Sequence, residues 1–504
     1  MIPREILKNI RQIEPRTNRV VGIFRFVCFA MLLSVFSFCA CSKSSTERVA
    51  AEDFTNVIHT YLQKCIEAEK INAGVVVGMV DQHGSRIVRY GKLDNGTDQE
   101  VNGDTVFEIG SDTKSFTALL LQDMVQRGQM KLDDPVEKYL PTSVKLPARN
   151  GKRITLRQLA THTSGLPVIP DNLDPKSADN PYADYTVAKL YAFLSGYKLT
   201  RDPAAKSEYS NLGMGLLGHV IALKAGTNYE SLVVDRICRP LKMDSTRITL
   251  TPELKSRFAV GHGPSGETVP SWDIPVLSGA GAIRSTVNDL LKYVSANLGL
   301  TPSALTPVMK KTCENGLAWF SNSEQPGTKI ISHGGGAGGS QSFVGFDPTR
   351  RRGVVVLFNG RRVIDVEALG MFLLKNEWWS GRQPTEIKFT NRVPKLIKRP
   401  EPIKLNTKLL DACVGRYEFP PNSALPNGIK VTIWREEDQL LWQERGQNAI
   451  PGAIRIYPQS ETNFFTTLDA SQFTFIKNDH GEVTAIKLHS LKLPDLEGKK
   501  LKDK

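Results

Sequence analysis

Ile109-Gly110-Ser111-Asp112-Thr113-Lys114, followed by the mostly apolar run Phe116 to Leu121, is the stretch around which this chain is organised. The run reads as a helix, and a serine and lysine three apart at its start share one face, about a turn apart. A hydroxyl is a poor nucleophile at neutral pH until a neighbouring base takes its proton. Lys114 is one turn from Ser111, and a desolvated lysine can be neutral enough to take part. The helix N-terminus also favours the negative charge that develops as a serine reacts. Alone, Ser-x-x-Lys is a weak signal. Two further stretches raise it.

The second is Tyr209-Ser210-Asn211, with Asn211 opening the apolar segment Leu212 to Ala222. Tyrosine is protonated at pH 7, but a cationic neighbour such as lysine pulls its pKa down and makes it a usable base, which is the expectation for Tyr209. The Asn211 amide offers both a donor and an acceptor to a substrate amide. The third is His333-Gly334-Gly335-Gly336 at the end of a strand. Glycines there let a substrate backbone approach the strand edge, and a free N–H can bind an oxyanion.

Together, in this order, the three resemble the serine β-lactamase and penicillin-binding protein superfamily, in the branch of class C β-lactamases and D-alanyl-D-alanine carboxypeptidases. That pattern is Ser-x-x-Lys, then Tyr-x-Asn, then Lys/His-x-Gly. The resemblance covers roughly residues 55 to 380 and takes in Leu159 to Leu166 (Leu-Ala-Thr-His-Thr-Ser-Gly-Leu) and Arg239 to Met243. It implies that Ser111 forms an acyl-enzyme, that Lys114 and Tyr209 move the protons, and that Asn211 holds the substrate amide. The N–H groups of Ser111 and Gly336 would form an oxyanion hole, with His333 and Gly335 beside it on the substrate-binding strand. His333 stands where β-lactamases of this class usually have lysine. In the family, histidine there is commoner among peptidases and esterases, which weighs against a dedicated antibiotic-destroying role and leaves the anchor of a substrate carboxylate unassigned. The implied substrates are peptidoglycan peptides or β-lactams, with an esterase or a weakly catalytic wall-binding protein as alternatives. The resemblance implies no cofactor and no metal.

With 504 residues the chain is too long for one typical domain, and 40% hydrophobic and 23% charged residues describe a globular protein. The net charge of +13 collects near both ends, without the basic stripe interleaved with aromatics that nucleic-acid binding needs. An anionic membrane or cell wall suits it better. Residues 1–25 carry Arg4, Lys8, Arg11, Arg16, Arg19 and Arg25, and Phe26 to Cys41 then runs uncharged. Those 16 residues are short for a spanning helix, and the segment 1–41 reads as an export signal. Phe38-Cys39-Ala40-Cys41 resembles a bacterial lipoprotein signal, which would lipidate Cys41 and place the protein in the cell envelope. Plain secretion and a retained anchor are the alternatives. Cys65, Cys238, Cys313 and Cys413 are scattered without Cys-x-x-Cys spacing, so a zinc site or disulfide scaffold is not supported.

The expected fold class is α+β. A hairpin at Gly74–Val80 and Ser85–Tyr90 joins late strands at 329–333, 340–346 and 353–358 in one antiparallel sheet flanked by helices. A helical lobe lies between, and residues 50–382 form this domain. The Pro-, Lys- and Arg-rich segment 383–406 reads as a linker. From 407 to 497 short alternating strands predict a small β-sandwich or barrel, which resembles the lipocalin-like domain of some family members. Glu497 to Lys504 reads as a solvated charge run. Gly213 to Gly218 and Gly334 to Gly339 both match Gly-x-Gly-x-x-Gly, but neither has the context of a dinucleotide fingerprint. No Gly-x-Ser-x-Gly occurs, which argues against an α/β-hydrolase. His162 reads as structural, positioning its loop under the cleft.

Overall fold

The computed structural model describes residues 54–376 and 402–501, apart from 69, 178, 264–265, 323–328, 362–363, 422–427, 446–453, 467–470 and 490–493. The signal segment with Cys41, and most of the 383–406 linker, lie outside the described residues.

A helix, α1, spans 54–68, and the hairpin follows as β1 (Gly74–Asp81) and β2 (Gly84–Gly91). Four later strands complete the sheet: β3 (Phe320–Asn322), β4 (Ile330–Ala337), β5 (Ser340–Asp347) and β6 (Arg352–Phe358). Its order is β2-β1-β6-β5-β4-β3, so the two ends of the domain meet as β1 pairs antiparallel with β6, Val75 opposite Phe358. The near-continuous apolar run of β1 is explained by this central place, since a strand covered on both faces has no solvent side to alternate toward. Strand β4 extends to Ala337, beyond the expected His333. The short β3 edge was not anticipated, and three residues carry too little periodicity to show.

The central helix α2 (Thr113–Gln126) is buried over every residue from Thr113 to Met124. It is walled on all sides, so its polar members Thr113, Lys114, Ser115, Thr117, Gln122 and Asp123 are buried along with the apolar ones. Helix α3 (Asn211–Ala225) packs on it, capped by Ser210, whose hydroxyl accepts from Gly213 N. Gly218 meets Gly279 so closely that a Cβ would lie 2.9 Å from the Gly279 Cα; the Gly213–Gly218 run therefore serves helix packing. Helix α4 (Val287–Asn297) takes Thr286 as its cap, and α5 (Val366–Lys375) takes Asp365. Both pack against the sheet.

After a short helix, α6 (Thr407–Cys413), eight strands form a closed barrel. They are β7 (Gly415–Phe419), β8 (Ile429–Glu436), β9 (Gln439–Arg445), β10 (Ile454–Pro458), β11 (Asn463–Thr466), β12 (Gln472–Lys477), β13 (Val483–His489) and β14 (Leu496–Lys500). The expectation of a solvated tail from Glu497 is corrected here. Those residues form the last strand, which pairs with β13 and closes on β7 through Tyr417 opposite Lys500. Closure removes the sheet edge that this charged strand would otherwise expose.

Candidate active site

Ser111 sits in a 3-10 turn, Gly110–Asp112, that leads directly into α2. The first bond of the turn runs from Asp112 N to Ile109 O at 3.1 Å, which leaves the Ser111 N–H outside the helical ladder. Gly110 has φ +45°, and a Cβ there would lie 2.7 Å from Gly336 N. Only glycine meets both conditions. The nucleophile turn thus lies against strand β4 at Gly336.

Lys114 and Tyr209 converge on the serine. Lys114 Nζ is 2.9 Å from Ser111 Oγ and donates to Ala280 O at 2.6 Å. Tyr209 Oη donates to Ser111 Oγ at 2.7 Å, and Lys114 Nζ lies 4.8 Å from the Tyr209 ring centre. Lys114 is completely buried, and burial pulls its amine well below the ordinary lysine range, the nearby Asp112 opposing. Asp112 is buried too, and desolvation raises its carboxyl well above the usual range. Burial thus shifts both groups toward their uncharged forms. The expectation of an acidified Tyr209 is corrected: burial raises its phenol, and only the Ser111 hydrogen bond lowers it. The same burial also lowers the pKa of Lys114, the lysine that was to supply the cation.

Tyr209 and Asn211 are placed by the cap of α3. Ser210 N donates to His162 Nδ1 at 3.1 Å, and the His162 ring lies 4.6 Å from that of Tyr209. Burial holds His162 neutral, with its pKa lowered to about 3, and its backbone is left-handed, at φ +57°. Its structural reading agrees with this placement. The Asn211 side chain is in hydrogen-bond contact with the hydroxyl of Tyr182, a buried residue whose ring packs edge-on against Trp272.

On β4, a Cβ at Gly335 would lie 2.1 Å from Ile109 O, so the strand can lie flush with the nucleophile turn only as glycine. The His333 ring is turned beneath the strand. It is 2% exposed, its Nδ1 is 2.7 Å from Gly334 O, and it lies 3.7 Å from Asp112 Oδ1. Desolvation lowers its pKa to about 3, so it brings no positive charge to the cleft.

The beta-lactamase family model matches residues 62–369, more than half of the chain. The chain belongs to the beta-lactamase family. It is 30% identical over 251 residues to a beta-lactamase of Escherichia coli K12, a match covering 49% of this chain and 62% of that relative. It is 27% identical over 356 residues to the D-alanyl-D-alanine-carboxypeptidase/endopeptidase AmpH of the same organism, covering 64% of this chain and 90% of AmpH. Among solved structures, a beta-lactamase/D-alanine carboxypeptidase from Yersinia pestis superposes with a TM-score of 0.55 at 24% identity, covering 63% of this chain and 96% of that one. An octameric penicillin-binding protein homologue from Pyrococcus abyssi superposes at 0.57 and 21% identity, covering 88% of this chain and 99% of the other. That share takes in the barrel as well, so the likeness in fold extends to both domains.

In this beta-lactamase-family chain the sequence pattern left out two groups that the fold brings to the site. Asp112 lies inside Ser-x-x-Lys and had no periodic signal of its own. Neither of its carboxyl oxygens has a hydrogen-bond partner, since the nearby Ser342 hydroxyl donates to Ile109 O instead. Tyr182 comes from a polar loop 29 positions before Asn211 in the numbering, and nothing local marks it. Among the described residues no group of three or more His, Cys, Asp or Glu could hold a metal, and Cys65, Cys238, Cys313 and Cys413 are free.

Proposed function

We propose that this protein is a serine hydrolase acting through an acyl-enzyme on Ser111, with D-alanyl-D-alanine peptides of the bacterial wall as its leading substrate class. The observation that carries the reading is the double contact at Ser111 Oγ, 2.9 Å from Lys114 Nζ and 2.7 Å from Tyr209 Oη. Burial lowers the pKa of Lys114, which favours an amine with a lone pair to take the serine proton as Oγ attacks a carbonyl. The neutral Tyr209 phenol then donates a proton to the departing group and recovers one through Lys114. Water attacks the acyl-enzyme along the same proton path in reverse. The Ser111 and Gly336 N–H groups would form the oxyanion hole where the carbonyl oxygen gains charge; a donor of that kind is worth about 3 kcal/mol of kcat elsewhere. Asn211 holds the acyl amide.

The peptidase reading rests on the likeness to AmpH, and on a neutral, buried His333 where a charged lysine would serve a β-lactamase. A β-lactamase or an esterase of the same family is the second reading, favoured by the beta-lactamase relatives. The proposed setting is the cell envelope. Among the described residues no helix is long and apolar enough to cross a membrane. Lipidation of Cys41 belongs to the same proposal.

Intact-mass spectrometry after mixing with a penicillin tests the reading. A persistent adduct on Ser111 is the expected result and marks a slow-deacylating peptidase. An adduct that decays within seconds would replace that with a working β-lactamase. No adduct, with simple esters still cleaved, would leave the esterase.

A further inference from the structure

Asp112 is buried one residue after the nucleophile, 1% exposed, and the proposed chemistry does not use it. Both of its carboxyl oxygens are without a hydrogen-bond partner among the described residues. The groups that face it come from each neighbouring element. On α2, Lys114 Nζ is turned to Ser111 Oγ at 2.9 Å and to Ala280 O at 2.6 Å. At the cap of α3, Tyr209 points its phenol at Ser111 Oγ. On β4, His333 Nδ1 is 3.7 Å from Asp112 Oδ1, beyond a hydrogen bond. It donates instead to Gly334 O at 2.7 Å, since a carbonyl only accepts. On α5, the exposed Glu367 adds a second negative charge. On β5, the Ser342 hydroxyl stands beside the carboxyl and gives its single proton to Ile109 O at 2.8 Å.

The direction of that last bond decides the matter. An ionised carboxylate is a stronger acceptor than a carbonyl, and a buried one without donors is costly. Ser342 nevertheless donates to Ile109 O. The arrangement is that of a protonated Asp112, which needs an acceptor and has Ser342 Oγ beside it. The Ser342–Ile109 bond lies directly under the glycine strand. A Cβ on Gly335 would stand 2.2 Å from Ser342 Oγ and 2.1 Å from Ile109 O, and Ser342 is opposite Gly335 in the β4–β5 ladder. Ile109 O also accepts from Asp112 N at 3.1 Å, the bond that shapes the turn holding Ser111. Ser342 therefore fastens β5, and with it the strand that carries Gly336, to the nucleophile turn.

We propose that Asp112 is a positioning residue that works as a protonated acid: while it keeps its proton, Ser342 holds Ile109 O and with it the turn that aims Ser111 and its N–H. Ionised, Asp112 draws the Ser342 proton to itself and frees that turn. The role in catalysis rests on the acyl-enzyme reading above. Infrared spectra of the full chain test the proton directly. The difference between the unaltered protein and Asp112→Asn at neutral pH should show the C=O stretch of a protonated carboxylic acid, moved in heavy water; Glu108 is common to both and cancels. Absence of that band overturns the assignment. Hydrolysis of the phenyl ester of an N-acylglycine tests the tie to the turn. Asp112→Asn, neutral and of the same shape, should keep kcat. Ser342→Ala should lower kcat about 3- to 10-fold at unchanged KM, the range of one neutral hydrogen bond, and Ser342→Thr should recover it. As pH rises, kcat of the unaltered protein should fall in step with loss of the acid band. Three results overturn the assignment with the acyl-enzyme intact: Asp112→Asn losing as much kcat as Ser342→Ala, Ser342→Ala as active as the unaltered protein, or the band lost with kcat unchanged. If the unaltered protein neither cleaves the ester nor takes a fluorophosphonate label on Ser111, the catalytic reading falls and the role in catalysis with it, while the infrared band still decides the state of Asp112.

Discussion

Around Ser111 the protein buries Asp112, Lys114, His162 and His333, each no more than 5% exposed, whereas the barrel buries Tyr417, Phe419, Trp442, Phe464, Phe473 and Phe475. Among the described barrel residues no charged side chain is buried. In the catalytic domain both Asp112 oxygens, His162 Nε2 and His333 Nε2 are buried without a hydrogen-bond partner. Each such group costs about 1–3 kcal/mol. In the barrel Gln443 Oε1 is likewise buried without a partner, but its core is aromatic: Trp442 packs at 4.8 Å from Phe473 and 5.8 Å from Phe419. One region is built for stability. The other gives up stability to hold polar and titratable groups out of water, which is where buried polar groups are expected to be functional.

The largest test of that contrast is Ser111→Ala. Hydrolysis should fall by about 10⁴-fold or more, with the melting midpoint unchanged or raised, because a crowded polar site loses one member. Turnover near the unaltered level would remove Ser111 as nucleophile. Trp442→Ala should do the reverse. Stability of the barrel falls by about 3–5 kcal/mol, seen in denaturant unfolding, while kcat of the folded fraction is unchanged. A matching fall in kcat would show that the two regions are not separable.

Glu108 sharpens the comparison through pH. It is buried beside Trp272 N, from which it accepts at 2.8 Å, and beside Arg284 at 3.5 Å. Burial pushes its pKa up to about 7 from an ordinary 4.5, with Arg284 opposing. Between those values the folded state keeps a proton that the unfolded chain has released, so stability is greatest below the window and falls as pH rises through it. The loss is on the order of 3 kcal/mol. Glu108→Gln should flatten that slope in melting curves taken across pH 5 to 8; an unchanged slope would assign it to another group.

The smallest effect is expected at the contact between the two regions. Arg455 of β10 makes a two-pronged pair with Asp179, at 2.7 and 2.6 Å, with both side chains about a third exposed. Exposed pairs contribute roughly 1 kcal/mol or less. Arg455→Gln should therefore shift stability by no more than that and leave kcat/KM within about threefold. A larger fall in kcat/KM would mean that the barrel sets the loop carrying Tyr182.

The main elements were legible because their signals are local. The hairpin at 74–91 is written in an apolar run, a Gly-containing turn and a second short strand run; α2 in the mostly apolar run Phe116 to Leu121 after Ser111. Strand β14 was not legible, because Leu496-Glu-Gly-Lys-Lys500 takes its identity from β13 and β7 and not from its own charged composition. The same holds within the site.

By itself the sequence determined which residue types stand at helical and strand spacing, and hence Ser111 one turn from Lys114, Asn211 at a helix start, and three glycines on a strand. Those relations depend on a few consecutive residues. Only the tertiary structure decided the lowered pKa of Lys114, the raised pKa of Tyr209, the retreat of His333 beneath its strand, and the contact of Tyr182 with Asn211. Desolvation and long-range contact depend on what the fold packs around a group, and no neighbour in the sequence records that.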